Sequence, residues 1–333
     1  MEHSEFRRDL VSGEWILIAP ARAHRPSEFK GAPKQTKDRT PKAKCPFEHP
    51  ERDHIVIGGD LKVQKSGRTA WSILAIENRY PSVSHRRGKV ISSKHGPFTT
   101  MSGAGHHELV ITKEHDTNFP RLSPGGAEAV LELLKERYLA LRDDPNIAFI
   151  SMFHNWGRDA GASVYHPHYQ LIAIPVVPPD ISRSLRGSTE YFHEKGKCVH
   201  CAELAWERKE KKRIVAESDE SIALAPFVSR NPFEVRIFPK RHQAYFEETG
   251  AKTLRDVARL LQKTLQRVKR KLGNPGYNFF IHTAPVKGKS EYPHYHWHIE
   301  IFPKTSTRAG FEFGTGVETN IIDPRRTADT LRS

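Results

Sequence analysis

One short segment near the middle of the chain holds the side chains best suited to covalent chemistry. His166, His168 and Gln170 alternate, so a β-strand would present all three on one face. Gly161 and Ser163 precede them in a run of small residues, whose backbone N–H groups can approach a phosphate closely. A neutral imidazole beside such a cradle can attack phosphorus and form a phosphoramidate. The two histidines could equally be metal ligands or a structural pair, because spacing alone does not separate these roles.

A second set of residues has the spacing of a zinc site. Cys198 and Cys201 form a Cys-x-x-Cys hook, and His242 and His296 would complete a tetrahedral Cys₂His₂ site for structural zinc. Either histidine two positions away from His296 could replace it, because alternate residues of one strand point the same way. The other interpretation is a pair of cysteines without metal.

A less regular group of the same kind occurs earlier in the chain. Cys45, Glu48, His115 and His166 offer one thiolate, one carboxylate and two imidazoles. Zinc accepts a carboxylate ligand, so these residues form a possible mixed metal site. The alternative is that this part of the chain has no metal.

Two long helices and six strands are predicted to position these groups. Apolar residues at helical spacing predict a helix over 130–141, capped by Ser123, and another over 254–272 that ends at Gly273. Short apolar runs predict strands at 14–19, 109–112, 147–153, 171–174, 233–238 and 298–302. A Pro- and Lys-rich loop is expected over 20–44.

The order of these elements repeats. Each half of the chain contains the same four features in the same order. They are a cysteine motif, a strand that ends before a histidine, a helix, and a strand beside a histidine cluster. We therefore expect an α+β fold made of two copies of one unit. The predicted halves are residues 1–185 and 186–333, with the boundary in the polar stretch 180–195.

Composition narrows the class of protein and of partner. The 333 residues are 37% hydrophobic and 28% charged, which excludes a wholly disordered chain. No apolar run is long enough for a membrane helix, and the N-terminal residues lack the apolar core of a secretory signal. Three cysteines do not make a disulfide framework, so a cytoplasmic location is expected. The net charge of +14 lies in segments without interleaved aromatic residues, so phosphorylated small molecules are the expected partners rather than nucleic acid.

The sequence also resembles the galactose-1-phosphate uridylyltransferase family of the histidine triad superfamily, in motifs that follow one another along the chain. They are RRDLVSGEWILIAPARAHRP, CPFE, ENRYP, HELVITKEH, HNWGRDAGASVYHPHYQLIAIP, CVHC, APFVSRNPFEVRIFPKRH, NFFIHTAPVKG, YHWHIEIFPK and GFEFGTG. The resemblance implies two fused histidine-triad-like halves, each an antiparallel sheet with packed helices. It implies that only the first half has a working nucleophile, and that the enzyme is a homodimer.

The resemblance gives roles to the central histidines. His168 would attack the α-phosphorus of UDP-glucose, releasing glucose 1-phosphate and forming a uridylyl–His168 intermediate. Galactose 1-phosphate would then take the uridylyl group and leave as UDP-galactose. Gln170 would donate to a phosphate oxygen, and His166 would bind metal and hold His168 in place.

The resemblance also implies substrate contacts spread along the chain. These are Arg22 and Arg25 on phosphates across the dimer interface, Asn78 on the nucleotide, Asn155, Gly161 and Ser163 on phosphate, and Phe311 and Glu312 on the hexose. The alternative for the two arginines is a solvated loop, and for Phe311 and Glu312 a packing role.

Three features depart from the family pattern, one of them being Tyr165 and Tyr169 beside the central histidines, where relatives often have smaller residues. Glu48 stands where many relatives have cysteine, and the ending GTGVETN differs from the usual one. Plant relatives with two Cys/His zinc sites are ADP-glucose phosphorylases, which use inorganic phosphate as the acceptor. An ADP-glucose or dinucleotide phosphorylase is therefore the first alternative. The second is a non-catalytic, basic protein that binds nucleotides or RNA.

Overall fold

The computed structural model describes residues 3–24, 40–63, 69–84 and 90–333, and it is a mixture of helices and antiparallel strands, as expected. The strands are β1 (Glu5–Arg8), β2 (Trp15–Ile18), β3 (Val56–Gly59), β4 (Lys62–Val63), β5 (Thr69–Ala70), β6 (Ile73–Glu77), β7 (Ser92–His95), β8 (Phe98–Met101), β9 (His106–Thr112), β10 (Phe149–Trp156), β11 (His168–Ile174), β12 (Ile214–Glu217), β13 (Ser221–Leu224), β14 (Val235–Pro239), β15 (Tyr277–His282), β16 (His298–Pro303) and β17 (Thr319–Asn320). The helices are α1 (Pro50–Asp53), α2 (Pro124–Leu141), α3 (Pro179–Lys195), α4 (Val199–Glu210), α5 (Ala251–Lys271), α6 (Gly310–Thr315) and α7 (Pro324–Arg332).

Ten of the strands form one continuous antiparallel sheet. Its order is β12-β13-β14-β16-β15-β10-β11-β9-β6-β3, with β15 and β10 at the centre. Each member of that central pair has four strands on its outer side, so each half contributes five strands, in the same order along the chain, and these are the two copies of the α+β unit. The fold class is therefore the predicted one, and the two halves share a single sheet.

The central pair of strands has a two-fold register. Phe153 on β10 lies opposite Phe280 on β15, and the pairs on either side join His154 with Phe279 and Met152 with Ile281. Within their own halves, Phe153 lies opposite Gln170 and Phe280 lies opposite Glu300. The last two positions are therefore equivalent in the two halves.

The two long helices cover the sheet and form its main core. Val130 and Tyr138 of α2, and Val257 and Leu261 of α5, are fully buried in one apolar cluster with residues of the central strands. Each such buried side chain stabilises the fold by about 1.5–3 kcal/mol. Both helices confirm the prediction: the Ser123 hydroxyl caps α2 by accepting from the N–H of Gly126, and α5 ends two residues before Gly273.

Two details differ from the sequence expectation. Residues expected to be a polar linker form helix α3, whose buried face comprises only Ile181, Leu185 and Ser188. The division at residues 185/186 stays a prediction, and that position lies inside α3. The loop expected over 20–44 includes short 3₁₀ helices at Pro20–His24 and Lys42–Lys44.

The strands predicted at 171–174 and 298–302 are present, but neither extends back to the first histidine of its cluster. β11 begins at His168, so His166 lies before the strand rather than on it, because Pro167 between them has no N–H to donate to a sheet. In the second half β16 begins at His298, and the backbone N–H of Trp297 bonds instead to the carbonyl of Gln243. The expected single face shared by three alternating residues is therefore wrong in both halves.

Across the described ranges, none of the helices is both long enough and apolar enough to cross a bilayer.

Candidate active site and metal sites

His168 has the tautomer that a nucleophile requires. Its ring is buried at the start of β11, and its Nδ1 lies 3.0 Å from the carbonyl oxygen of His166. Because a carbonyl only accepts, Nδ1 carries the proton and Nε2 keeps its lone pair. Burial lowers the pKa of His168, so the ring is neutral at neutral pH. The free nitrogen can therefore attack an electrophilic phosphorus.

The four residues of the first candidate metal site converge. The ligand atoms of Cys45, Glu48, His115 and His166 all lie within 4.8 Å of one another. The Cys45 Sγ is 3.5 Å from Nδ1 of His166, and a Glu48 oxygen is 2.9 Å from Nδ1 of His115. On their outer sides, Nε2 of each histidine donates to a backbone carbonyl, at 2.7 and 2.9 Å. Both rings thus turn an unprotonated Nδ1 toward the centre, as metal-binding histidines do.

The second candidate metal site has the same construction. The ligand atoms of Cys198, Cys201, His242 and His296 lie within 4.8 Å of one another. The Cys201 Sγ is 3.4 and 3.6 Å from the Nδ1 atoms of His242 and His296. Their Nε2 atoms donate to the carbonyls of Pro293 and Pro239, at 2.7 and 3.0 Å.

The two histidines that could have replaced His296 lie elsewhere. Nε2 of His294 is 2.9 Å from the Thr189 hydroxyl, and its ring stacks on Phe192. His298 belongs to a third group, described below. Of the three alternating histidines, the structure therefore brings only His296 to the cysteine pair.

Both sets of donors fit zinc. The Cys₂His₂ set is a common structural zinc site, and the Cys-Glu-His₂ set is within the range that zinc accepts. Four ligands at 2.0–2.3 Å from a tetrahedral ion would stand roughly 3.3–3.8 Å apart, close to the separations observed here. Each candidate ligand thus needs only a small movement to bind an ion.

The second half has a counterpart of the nucleophile position that is built differently. Nδ1 of His298 donates to the His296 carbonyl at 3.1 Å, just as His168 does to His166. Glu300 occupies the position of Gln170, and Arg236 and Arg230 bond to its two oxygens at 2.9 and 2.5 Å. His282 also lies beside this carboxylate and, with His298 and Glu300, forms a third group of potential metal ligands. A carboxylate only accepts hydrogen bonds and repels a phosphate, so Glu300 cannot donate to a phosphate as the amide of Gln170 can.

The small-residue segment before His168 is a tight turn. Gly157 and Gly161 adopt φ values of 88° and 87°, in the region that favours glycine. They bracket the 3₁₀ helix Arg158–Ala160, and Ser163 beyond it is exposed. Asn155, on the preceding strand, accepts a hydrogen bond from Asn278 at 2.7 Å. The turn therefore precedes the histidines along the chain with Gly161 and Ser163 exposed, and their contact with a phosphate stays a prediction.

Gln170 and Asn78 meet around a residue that the sequence did not single out. Nε2 of His107, on β9, is 3.0 Å from Oε1 of Gln170 and 3.0 Å from Nδ2 of Asn78. The signal that could have found it is its position on a strand that pairs with β11. His107 thus joins the predicted phosphate donor to the predicted nucleotide contact.

The remaining predicted contacts lie on exposed elements. Arg22 is in the exposed 3₁₀ helix at Pro20–His24, and Arg25 lies outside the described residues. Glu312 of α6 accepts from the N–H of Ala309. Burial acts to raise the pKa of Glu312, but hydrogen bonds and the nearby charge of Arg22 hold it below its usual value. In the described part of the chain, no hydrogen bond or ring contact joins Phe311 or Glu312 to His168.

Comparison with known proteins agrees with this arrangement. A family model described as "Galactose-1-phosphate uridyl transferase, N-terminal domain" matches residues 1–178, and another described as "Domain of unknown function (DUF4921)" matches residues 96–333. The ADP-glucose phosphorylase of Arabidopsis thaliana is 34% identical over 98% of this chain and 92% of its own length. The galactose-1-phosphate uridylyltransferase of Thermotoga maritima is 28% identical over 98% of both chains.

A solved structure extends the likeness to the whole fold. The crystal structure of the Arabidopsis thaliana ADP-glucose phosphorylase with bound ADP-glucose superposes with a TM-score of 0.81 at 32% identity. The match covers 100% of this chain and 99% of that one. Because a family model covers more than half of the chain and a relative is 34% identical over 98% of it, the chain belongs to the galactose-1-phosphate uridylyltransferase family of nucleotidyl-transferring enzymes.

Proposed function

We propose that the chain transfers a nucleotidyl group from a nucleotide sugar through a covalent nucleotidyl–His168 intermediate, and that it is a galactose-1-phosphate uridylyltransferase. The observation that carries the proposal is the tautomer of His168. The buried, neutral ring binds a carbonyl through Nδ1–H and so keeps a lone pair on Nε2, and, unlike its counterpart His298, it is followed two residues later by an amide, Gln170, rather than by a carboxylate.

The first step transfers the nucleotidyl group to the enzyme. Nε2 of His168 attacks the α-phosphorus of UDP-glucose, so a P–N bond forms and the bond from that phosphorus to the bridging oxygen breaks. Glucose 1-phosphate leaves with the electron pair. The positive charge that develops on the ring is stabilised by the bond from Nδ1–H to the His166 carbonyl.

The second step returns the enzyme to its starting state. A phosphate oxygen of galactose 1-phosphate attacks the same phosphorus, the P–N bond breaks, and UDP-galactose leaves while His168 becomes neutral again. In both steps an N–H of Gln170 would donate to a non-bridging oxygen that gains charge in the transition state. Asn155, Gly161, Ser163 and Asn78 would hold the nucleotide, while Arg22, Arg25, Phe311 and Glu312 would contact the phosphates and the hexose.

Zinc would be held by Cys45, Glu48, His115 and His166 in the first half, and by Cys198, Cys201, His242 and His296 in the second. When bound, the ion supplies a fixed cross-link between distant parts of the chain. In the first half that cross-link would hold His166, whose carbonyl orients the nucleophile. His166 thus acts on catalysis by positioning His168.

A second candidate function is ADP-glucose phosphorylase, with inorganic phosphate as the acceptor. It is favoured by the relative of that name, which is 34% identical to this chain, and by its structure with bound ADP-glucose. The chemistry at His168 would be the same. The two candidates differ in the base that the nucleotide pocket accepts and in the acceptor of the second step.

Intact-protein mass spectrometry tests the mechanism and the nucleotide together. The purified chain is mixed with UDP-glucose or ADP-glucose, and the labelled protein is then treated with galactose 1-phosphate or inorganic phosphate. A uridylyl adduct removed by galactose 1-phosphate supports the uridylyltransferase, and an adenylyl adduct removed by phosphate supports the phosphorylase. His168→Gly must form no adduct, whereas the exposed His193→Gly must label like the wild type. A wild type without any adduct overturns covalent transfer and favours a nucleotide-binding protein.

We also propose that the enzyme is a cytoplasmic homodimer in which Arg22 and Arg25 of one copy reach the site of the other. Support comes from the position of Arg22 and of α6 at the exposed surface, where a second copy could contact them. Sedimentation equilibrium gives the mass directly. Mixing His168→Gly with Arg22→Ala chains should restore adduct formation in mixed dimers if the contact crosses the interface.

A further inference from the structure

We propose that His107 is a positioning residue that sets the orientation of the Gln170 amide, so that Gln170 presents its N–H groups rather than its oxygen to the phosphate. The inference deepens the proposed function and rests on it for the role of Gln170. It is carried by the hydrogen bonds around one buried ring.

The position of the proton on His107 follows from a backbone contact. His107 is buried on β9, and its Nδ1 lies 3.0 Å from the backbone nitrogen of Ser82. A backbone N–H can only donate, so Nδ1 must be the unprotonated acceptor. The neutral ring therefore carries its hydrogen on Nε2, which faces Gln170.

The acceptor for that hydrogen is equally constrained. Nε2 of His107 has two polar neighbours at 3.0 Å, Oε1 of Gln170 and Nδ2 of Asn78. The Asn78 side chain is itself oriented, because its Oδ1 accepts from the backbone N–H of Tyr80 at 3.0 Å. Its nitrogen is thus a donor and cannot accept from His107. Oε1 of Gln170 takes the hydrogen bond.

Fixing the oxygen of Gln170 also fixes its nitrogen. The amide group is planar, so an Oε1 bound to His107 turns the NH₂ group away from that ring. Gln170 alternates with His168 on β11, which places this NH₂ on the face of the nucleophile. Without His107, a rotation of 180° about the Cγ–Cδ bond of Gln170 would direct its oxygen at an anionic phosphate instead.

The second half gives independent support, since it also devotes buried side chains to this position. There Glu300 replaces Gln170, and Arg236 and Arg230 hold its two oxygens. In both halves the oxygen at this point of the sheet has dedicated donors. Of the two side chains at this position, only Gln170 has N–H groups of its own, since Glu300 is a carboxylate.

The test is a pair of substitutions on adjacent residues of one strand. His107→Phe keeps a ring but removes both nitrogens. His106→Phe is the matched control, because the His106 side chain bonds to Asp144 at 2.9 Å instead of to Gln170. Single-turnover adduct formation is measured for each, in the wild type and in a Gln170→Ala background. We expect His107→Phe to slow labelling roughly tenfold or more in the wild type, and less than about twofold once Gln170 is absent.

An equal loss in both backgrounds would mean that His107 acts through the fold in general, and no loss in the wild type would mean that it does not position Gln170. Either result overturns the inference. A readout independent of activity is the pair of Gln170 side-chain NH₂ resonances, assigned by their disappearance in Gln170→Ala. They should shift or broaden in His107→Phe and stay in place in His106→Phe. Unchanged resonances in His107→Phe overturn the inference even if no nucleotide sugar labels His168, which is the separate failure of the proposed function.

Discussion

The side chain of Asn278, in the second half of the chain, donates to Oδ1 of Asn155, in the first half, at 2.7 Å. The same Asn278 nitrogen lies 2.8 Å from the carbonyl of Ala160, inside the turn that leads to the histidines. One amide of the second half is therefore hydrogen-bonded to both the strand and the turn of the predicted phosphate cradle.

Replacing this amide should impair chemistry more than folding. We expect Asn278→Ala to slow formation of the His168 adduct roughly tenfold, since each lost hydrogen bond is worth about 1 kcal/mol. Gln266→Ala is the matched control, because Gln266 also donates from the second half to the first, to the Pro120 carbonyl at 2.9 Å. In urea, Asn278→Ala should lose about 2 kcal/mol of stability and Gln266→Ala about 1 kcal/mol, in proportion to the hydrogen bonds removed. If Gln266→Ala slows adduct formation as much as Asn278→Ala does, the hydrogen bonds of Asn278 have no specific role at the phosphate site.

The turn itself can be tested at its second glycine. Gly161 and Gly196 both adopt left-handed φ, 87° and 66°, and a Cβ on either would meet no atom closer than 3.9 Å. Alanine at each should cost about 1 kcal/mol of stability through backbone strain. Only Gly161→Ala should also slow adduct formation, by roughly tenfold or more, because small displacements at a reacting centre are costly. Equal labelling rates for the two variants would remove Gly161 from the phosphate site.

The two candidate metal sites should be separable by their cysteines. Elemental analysis of the purified chain should give close to two zinc ions, and Cys45→Ser and Cys198→Ser should each remove one of them. Because structural zinc contributes directly to folding, each loss should lower the melting temperature by several degrees. Adduct formation should suffer more in Cys45→Ser, whose site includes His166. A wild-type content of one ion that Cys45→Ser leaves unchanged would show that the first site does not bind zinc.

A buried histidine should make the protein sensitive to acid. Burial lowers the pKa of His154 from 6.5 to about 3, and its Nδ1–H bonds to the His168 carbonyl at 2.7 Å. Because the folded pKa is the lower one, this stabilisation is complete above pH 6.5 and is lost as the pH falls toward 3. The slope is about 1.4 kcal/mol per pH unit for one group.

His154→Phe isolates that contribution, since the neighbouring rings of Tyr169 and Phe279 can pack against phenylalanine. The free energy of unfolding in urea is measured between pH 7 and pH 4.5. As the pH falls, the free energy of unfolding of the variant should decrease less steeply than that of the wild type, by about 1.4 kcal/mol per pH unit. Parallel curves for the two proteins would contradict the depressed pKa.

Much of this architecture follows from local sequence signals. Helical periodicity with a cap at Ser123 fixes α2, and a similar apolar stripe fixes α5, because both depend on residues close together in the chain. The two groups of candidate metal ligands were also identifiable, since cysteine and histidine combine at restricted spacings and the order of motifs repeats. Helix α3 was missed because its exposed polar residues outweigh a narrow buried face around Ile181 and Leu185.

The rest required the three-dimensional arrangement. The start of β11 depends on Pro167, whose effect on pairing is felt only when a neighbouring strand is present. The contact between His107 and Gln170 joins residues 63 positions apart, through a strand register that the sequence pattern does not specify. The arginines around Glu300 likewise come from other segments, so the different chemistry of the second half became visible only in the structure.

The register between β10 and β15 bears on how the two halves of this chain associate. Phe153 and Phe280 occupy equivalent positions in the two halves and lie opposite each other. The neighbouring pairs, His154 with Phe279 and Met152 with Ile281, are interchanged when the two halves are exchanged. Such self-complementary pairing is what two identical subunits form across a two-fold axis. The junction inside this protein therefore has the geometry of a homodimer interface between half-length chains. Because both halves belong to one chain, their association does not depend on concentration, and equivalent positions can carry different residues, as Gln170 and Glu300 do.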